Sequence, residues 1–158
     1  MIKIMFVCHG NICRSPMAEF VFNHMVRKRG LADKMLAHSS ATSTEEIGND
    51  IHRGTRRILE KYGIPYRRRE AVQLTRSDYA DYDLIVGMDS YNIRNMIRIF
   101  GSDPDGKVVR LLDLTSRSDD VADPWYTGDF EATYRDVREG CEALINMLVQ
   151  KGDNSEKI

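Results

Sequence analysis

The sequence predicts an α/β fold, a single-domain three-layer sandwich in which helices flank a central four-stranded parallel sheet. Short apolar runs of strand length alternate along the chain with stretches of helical periodicity. This alternation is typical of parallel strands joined by helical crossovers. The chain has 158 residues, without internal repeats or a low-complexity linker, which is the size of one domain around one core.

The first thirty residues predict a strand, a loop and a helix. Ile2 to Val7 is a nearly continuous apolar run, typical of a strand buried on both faces. His9 to Asn11 interrupts the run. Ser15 and the following proline then begin a helix that extends to about Arg29, because proline tolerates the first helical turn.

The remaining chain predicts three more strands and three more helices. The strands are Met35–Thr42, Asp83–Met88 and Lys107–Leu112. The helices are His52–Tyr62, Ser90–Phe100 and Phe130–Val149. We expect the domain to span residues 1–150 and residues 151–158 to form a polar, frayed tail.

Composition argues against several classes of function. The 23 Lys and Arg nearly balance the 24 Asp and Glu, whereas a nucleic-acid-binding domain is usually strongly basic. No apolar run approaches the ~20 residues that a membrane-spanning helix needs, so we expect a cytoplasmic protein without membrane contact. Three cysteines do not make a disulfide scaffold, and four scattered histidines lack metal-ligand spacing. No metal and no cofactor is expected.

The loop between the first strand and the first helix is the predicted anion site. Ligands of open α/β sheets bind at the carboxyl ends of strands, and a helix N-terminus offers free amides with partial positive charge. Gly10 and Asn11 tolerate the left-handed backbone that a curled loop requires. The predicted phosphate-binding residues are His9, Gly10, Asn11, Ile12, Cys13 and Arg14.

Three side chains of this loop predict catalysis. Cys8 lies at its start, where the helix N-terminus and nearby cations favour a thiolate that can attack phosphorus. Arg14 offers a planar fork for two phosphate oxygens. The Ser15 hydroxyl can donate a hydrogen bond to the thiolate and ease its departure in a second step.

The segment from Cys8 to Pro16 resembles the signature of low-molecular-weight protein tyrosine phosphatases, including its position directly behind the first strand. The resemblance extends from Ile2 to about Leu148. It implies the strand order 2-1-3-4 and hydrolysis of phosphotyrosine in protein substrates through a cysteinyl-phosphate intermediate. It also implies that Ser39 hydrogen-bonds Asn11, that Asp89 supports the site at the sheet's carboxyl edge, and that weak self-association through the active-site face is open to this chain.

Asp123 is the predicted proton donor. A phenolate, whose conjugate acid has a pKa of ~10, leaves more easily when a proton arrives in the transition state. Asp123 to Tyr126 resembles the family's Asp-Pro-aromatic-aromatic motif, and Pro124 restricts Asp123 to extended geometry. Trp125 and Tyr126 then form a wall for the substrate ring, with Ile12 as a further apolar contact.

Three positions depart from common patterns of that family. His9 replaces a leucine, Glu45 stands where some members have an aromatic rim residue, and Arg69 stands where mammalian members have histidine. We assign Glu45 to the substrate pocket. The basic run from Arg67 to Arg69 either attracts acidic substrate segments or is a solvated connection, and the sequence favours neither.

Cys13 is the predicted redox partner of Cys8. In a tightly curled loop their α-carbons can approach within ~7 Å, the limit for a disulfide. We expect peroxide to convert Cys8 to a sulfenic acid that Cys13 traps reversibly, as happens in the family. Cys141 lies on the apolar face of the last predicted helix and is assigned to the core.

Three alternatives stay open at this point. A protein-arginine phosphatase of the same family has a threonine at the position of Ile12. An arsenate reductase of the same fold needs two further downstream cysteines, and only Cys141 is available. A non-catalytic anion-binding domain would not need Cys8, Arg14, Ser15 and Asp123 together. Phosphotyrosine hydrolysis is the favoured interpretation.

Overall fold

The computed structural model describes residues 1–156, with side chains described as far as Asp153. Four parallel strands form one sheet in the order β2-β1-β3-β4. The strands are β1 (Ile2–Cys8), β2 (Met35–Ala41), β3 (Leu84–Gly87) and β4 (Val108–Arg110). The predicted α/β fold and the order 2-1-3-4 are confirmed.

Helices cover both faces of the sheet. They are α1 (Arg14–Lys28), α2 (Arg53–Lys61), α3 (Asp78–Asp81), α4 (Ser90–Phe100), α5 (Pro124–Thr127) and α6 (Phe130–Glu156), and a 3₁₀ turn (Leu111–Leu114) follows β4. Helix α6 continues past its predicted end at Val149, and residues 157–158 of the predicted tail lie outside the described residues. The predicted fourth strand is too long, since Leu111 and Leu112 belong to the 3₁₀ turn.

The apolar side chains of β1 alternate between two hydrophobic cores, one on each face of the sheet. Ile4 and Phe6 join the larger core with α1 and α6, whereas Met5 and Val7 point to the opposite face. Alternate strand residues face opposite sides of a sheet, so a strand covered on both sides is apolar throughout. The same alternation turns Cys8 toward the core that contains α1.

The carboxyl ends of the four strands meet at one edge, and the site lies there. The loop after β2 is hydrogen-bonded to the loop after β1: Thr42 N donates to Cys8 O (3.0 Å) and Ser43 N to His9 O (3.1 Å). Loops that follow different strands are thereby held side by side. Among residues 1–156, no helix has both the length and the apolarity needed to cross a bilayer.

Candidate active site

Cys8 lies at the end of β1 beneath a loop that curls into the N-terminus of α1. Its Sγ accepts hydrogen bonds from the amides of Asn11 (3.3 Å) and Ser15 (3.4 Å), and Ser15 Oγ lies 3.0 Å from it. Amides at a helix N-terminus favour the charged form of a thiol. The three contacts therefore suit a nucleophilic thiolate.

Asn11 fixes the shape of this loop. Its φ of 59° is a left-handed conformation, which asparagine tolerates better than most residues. Its buried Nδ2 donates to Ser15 Oγ (2.8 Å) and to Ser39 Oγ (2.9 Å), and its Oδ1 accepts from Val72 N (3.1 Å). The side chain thus connects the loop to β2 and to the chain that precedes α3.

Arg14 is almost completely buried at the first position of α1. Its Nη1 donates to Asp89 Oδ2 (2.7 Å) and to Val121 O (2.9 Å), which orients the guanidinium. Burial lowers the pKa of Arg14, but the negative charges of Cys8 and Asp89 outweigh burial and leave the pKa raised. Arg14 therefore stays charged, and Asp89 acts by holding its side chain.

Asp123 faces the same cavity from the loop before α5. Its Oδ1 accepts from Trp125 N (3.0 Å) as the helix N-cap, and its Oδ2 lies 3.5 Å from Arg14 Nη2. The backbone is extended, as the following proline predicts, and the side chain is 26% exposed. A carboxyl group in this position can exchange a proton with a ligand above Cys8.

One cavity brings most of the predicted site residues together. It is lined by Cys8, His9, Gly10, Ile12, Cys13, Arg14, Glu45, Glu46, Asp123, Trp125 and Tyr126. The supporting residues lie behind this lining: Asn11, Ser15, Ser39 and Asp89.

The rim of the cavity has an aromatic side and a polar side. Trp125 and Tyr126 are 58% and 84% exposed, so they form an open rim that a substrate ring could cover. The His52 and Trp125 rings form a T-shaped contact with their centroids 5.8 Å apart. On the polar side, His9 Nε2 lies 3.0 Å from Glu45 Oε2.

The basic run from Arg67 to Arg69 lies behind the loop. Arg69 donates to the carbonyl oxygens of Asn11 and Asn49, and Arg67 Nη2 lies 3.4 Å from Glu19 Oε2. Burial lowers the pKa of Arg69. These contacts favour a structural role for Arg69 at the back of the anion loop, whereas Arg67 and Arg68 are exposed.

The two other cysteines differ in their access to Cys8. Cys13 lines the cavity, where burial and the negative charge of Cys8 raise its pKa to about 12. Cys141 is fully buried in the core, where burial raises its pKa and its Sγ lies 3.8 Å from Ala18 O. Its position argues against a thiol relay of the arsenate reductase type.

Three contributors to the site were missed from the sequence, and one of them, Glu46, lines the cavity itself. Glu19 accepts from Ser39 Oγ (2.6 Å) and so completes a buried chain behind Asn11. An acidic residue on the buried side of a predicted helix was the available signal. The carbonyl of Val121, which binds Arg14, had no signal because a backbone contact does not depend on residue type.

Comparisons with known proteins agree with this geometry. The sequence model of the family "Low molecular weight phosphotyrosine protein phosphatase" matches residues 3–154. The low molecular weight protein-tyrosine-phosphatase YfkJ of Bacillus subtilis is 42% identical over 147 residues, which cover 92% of this chain and 94% of that protein. PtpA of Staphylococcus epidermidis is 37% identical over 158 residues, covering 99% and 100%.

Solved structures show the same fold. The crystal structure of YfkJ superimposes with a TM-score of 0.92 at 40% identity, covering 96% of each chain. SP-PTP, a low molecular weight protein tyrosine phosphatase from Streptococcus pyogenes, gives a TM-score of 0.85 at 44% identity, covering 94% of this chain and 93% of that one. By sequence, by fold and by the loop around Cys8, this chain belongs to the low molecular weight phosphotyrosine protein phosphatase family.

Proposed function

We propose that the protein hydrolyses phosphotyrosine in protein substrates, and small aryl phosphates, through a cysteinyl-phosphate intermediate. One observation carries the proposal: the Cys8 sulfur, the Arg14 guanidinium and the Asp123 carboxyl line one cavity at the N-terminus of α1. A nucleophile, an oxyanion clamp and a proton donor are the groups that phosphoryl transfer to cysteine needs.

The first step transfers the phosphoryl group to the enzyme. The loop amides and Arg14 bind the phosphate oxygens, and Cys8 Sγ attacks phosphorus from below. The sulfur–phosphorus bond forms as the bond to the phenolic oxygen breaks. Asp123 gives its proton to that oxygen, so the product leaves as a neutral phenol.

The second step returns the enzyme to its starting state. The Asp123 carboxylate takes a proton from water, the water oxygen attacks phosphorus, and the sulfur–phosphorus bond breaks. The electron pair returns to Cys8 Sγ, where Ser15 Oγ at 3.0 Å and the amides of Asn11 and Ser15 stabilise the leaving thiolate. Phosphate then leaves the loop.

The depth and lining of the cavity favour an aromatic ester. Cys8 is buried at the bottom, Ile12 contributes an apolar wall, and Trp125 lies at the rim. A phenyl ring can pack on Ile12 and Trp125 while its phosphate reaches Cys8, whereas the side chain of phosphoserine is shorter and has no ring. Ile12 also lacks the hydroxyl that the arginine phosphatases of the family carry at this position.

The chemistry also bears on where the protein works. Cys8, Cys13 and Cys141 are free thiols, and the mechanism requires Cys8 in its reduced form. Reduced thiols persist in the cytosol and are oxidised in secretory compartments. A cytoplasmic location, with phosphotyrosine proteins as partners, fits this requirement.

A panel of phosphate esters tests the function. The wild-type protein should hydrolyse an aryl phosphate and a phosphotyrosine peptide, and vanadate should compete with both. Phosphoserine and phosphoarginine versions of the same peptide should be poor substrates. Cys8→Ser should abolish turnover. Faster hydrolysis of the phosphoarginine peptide, or turnover by Cys8→Ser, would contradict the proposal.

A further inference from the structure

Two arginines connect the same two segments of the chain. Inside the site, Arg14 binds Asp89 and the carbonyl of Val121. One residue farther out on each segment, Arg110 Nη1 donates to Ser90 Oγ (3.1 Å) and to Asp120 Oδ1 (2.7 Å). Arg110 thus contacts Ser90 and Asp120, which are adjacent in sequence to the two residues that hold Arg14.

From this arrangement we infer that Arg110 and Asp120 are positioning residues for Asp123, which hold the loop that carries the proton donor at its working distance from the substrate. The inference rests on the proposed function, because it assigns these residues to the proton-transfer step. They touch neither substrate nor reacting atoms and act through the backbone between residues 120 and 123.

Asp120 is the loop residue that connects the loop to Arg110 and to Ser90. Its Oδ1 accepts three hydrogen bonds, from Arg110 Nη1, Ser90 N (3.0 Å) and Ser90 Oγ (3.1 Å). Burial raises the pKa of Asp120, but the bonds from Arg110 and Ser90 outweigh burial and lower it. The carboxylate therefore stays ionised and joins the loop to the start of α4.

Arg110 is itself held in place by a second carboxylate. Its Nε and Nη2 lie 3.2 and 2.8 Å from Asp113 Oδ1, which also accepts from Ser118 Oγ (2.8 Å). The side chain of Arg110 is 19% exposed. Because both edges of the planar guanidinium form hydrogen bonds, the orientation of the Arg110 side chain is fixed. Arg110 therefore couples the position of the loop to that of β4.

The chain from Asp120 to Asp123 has little freedom to absorb a loss. Val121 N donates to Met88 O (2.9 Å), its side chain is fully buried, and Thr133 Oγ1 lies 3.4 Å from Ala122 O. Releasing Asp120 leaves this short span held by the contacts of Val121 and Ala122 alone, so the loop that carries Asp123 loses part of its support. Misplacing a catalytic group by ~1 Å can cost as much as ~100-fold in rate, and Arg14 stays held by Asp89.

The test measures how the reaction rate depends on the leaving group. Asp120→Asn and Arg110→Gln are compared with the wild type on aryl phosphates whose phenols span a range of acidities. The ratio kcat/KM reports the step in which Asp123 gives its proton. We expect a loss of about 10-fold or more on the least acidic phenol and of about 3-fold or less on the most acidic one. Arg110→Lys should fall between these variants and the wild type.

A double-mutant cycle separates positioning from general damage to the fold. In the Asp123→Ala background the proton donor is absent, so adding Asp120→Asn should cost less than about 2-fold and leave the leaving-group dependence unchanged. Competitive inhibition by vanadate should stay within about 2-fold of the wild type in the Asp120→Asn single variant, because Asp89 still holds Arg14 and no residue of the anion loop is changed.

Arg117→Gln is the matched control. Arg117 belongs to the same loop, but its two short ion pairs are with Asp136 (2.6 Å) and Glu139 (3.0 Å) on α6, and Asp119 lies farther away at 4.0 Å. The dependence of kcat/KM on the leaving group in Arg117→Gln should equal that of the wild type. An equal loss on all phenols in Asp120→Asn, or full additivity with Asp123→Ala, overturns the inference. Failure of the wild type to hydrolyse any aryl phosphate overturns the proposed function instead.

Discussion

Single residues determine the shape of the anion loop, and Asn11 shows how much of that shape the sequence contains. Its left-handed backbone was predictable from the Gly-Asn turn, and its contact with Ser39 from the family resemblance. Its bonds to Val72 N and Arg69 were not predictable. They come from a segment without a motif, whose position depends on how the chain after α2 packs behind the loop.

Two substitutions at Asn11 distinguish the contribution of its side-chain hydrogen bonds from that of its backbone conformation. Asn11→Ala loses the three side-chain hydrogen bonds and also strains a φ of 59°, so we expect a decrease of about 2–4 kcal/mol in the free energy of unfolding. Asn11→Gly loses the same hydrogen bonds but avoids the backbone strain. Its free energy of unfolding should therefore decrease by about 1 kcal/mol less than that of Asn11→Ala. Both should lower kcat/KM by about 10-fold or more. Urea unfolding and initial rates on an aryl phosphate measure the effects, and a glycine variant with wild-type activity would contradict the role of the side chain.

Cys13 is expected to protect Cys8 from irreversible oxidation. Its raised pKa of about 12 keeps it a protonated thiol in normal turnover, so it does not compete as a nucleophile. After peroxide treatment and reduction, the wild type should recover its activity, whereas Cys13→Ser should stay inactive with Cys8 as sulfinic acid by mass spectrometry. Cys141→Ala is the control, since that thiol is buried in the core. Full recovery of Cys13→Ser would show that Cys13 does not trap the sulfenic acid.

Whole elements were predictable where their pattern was long enough. Helices α1, α4 and α6 carry several turns of periodicity, and their starts agree with prediction to within one residue. Helix α5 has four residues, too few for a period, so the sequence showed only an Asp-Pro turn. The run from Lys107 to Leu112 resembles a buried strand throughout, yet Leu111 turns away to pack on α6.

The close approach of α6 to the 3₁₀ turn depends on Gly140. A Cβ at this position would lie 2.4 Å from Leu111 Cγ, which is impossible without displacement. Although alanine favours a helix by ~1 kcal/mol, overpacking costs more, so Gly140→Ala should lower the free energy of unfolding by about 1–2 kcal/mol. Gly152→Ala is the control in the same helix, because among the described residues nothing outside its own helical turn lies within 4 Å of its Cβ position. It should not destabilise the protein in urea unfolding, and equal effects of the two variants would refute the packing argument.

At the scale of the whole molecule, the alternation of strands and helices predicts the layers and places the loops at one edge of the sheet. The order of the strands came from the family resemblance, because alternation alone does not say which strand is central. The ionic contacts between loops could not be predicted from the sequence either. Asp113 and Asp120 show no local pattern that distinguishes them from solvated acids, and their shared partner Arg110 becomes evident only in three dimensions.

The stability of the whole fold should depend on pH through such carboxylates. Asp103 accepts from Tyr79 OH (2.7 Å), Lys107 N (2.8 Å) and Val108 N (3.2 Å); burial raises its pKa, but these bonds outweigh burial and hold it below the ordinary value of 3.8. A depressed pKa contributes stability above the unfolded-state value, and that contribution is lost as pH falls through the folded-state value. Asp103→Asn should therefore lower the free energy of unfolding at pH 7 by about 1 kcal/mol. The difference should shrink below pH 3.8 in urea titrations; a constant difference would contradict the assignment.

The central claim is that Cys8 carries the phosphoryl group during turnover. The direct measurement is rapid acid quenching of the wild-type protein mixed with a phosphotyrosine peptide, followed by mass spectrometry of the proteolysed enzyme. We predict one added phosphoryl group on the fragment that contains Cys8, formed before steady state, and none in Cys8→Ser. A burst of dephosphorylated peptide with no phosphorylated fragment, or with the phosphoryl group on another residue, would contradict the account.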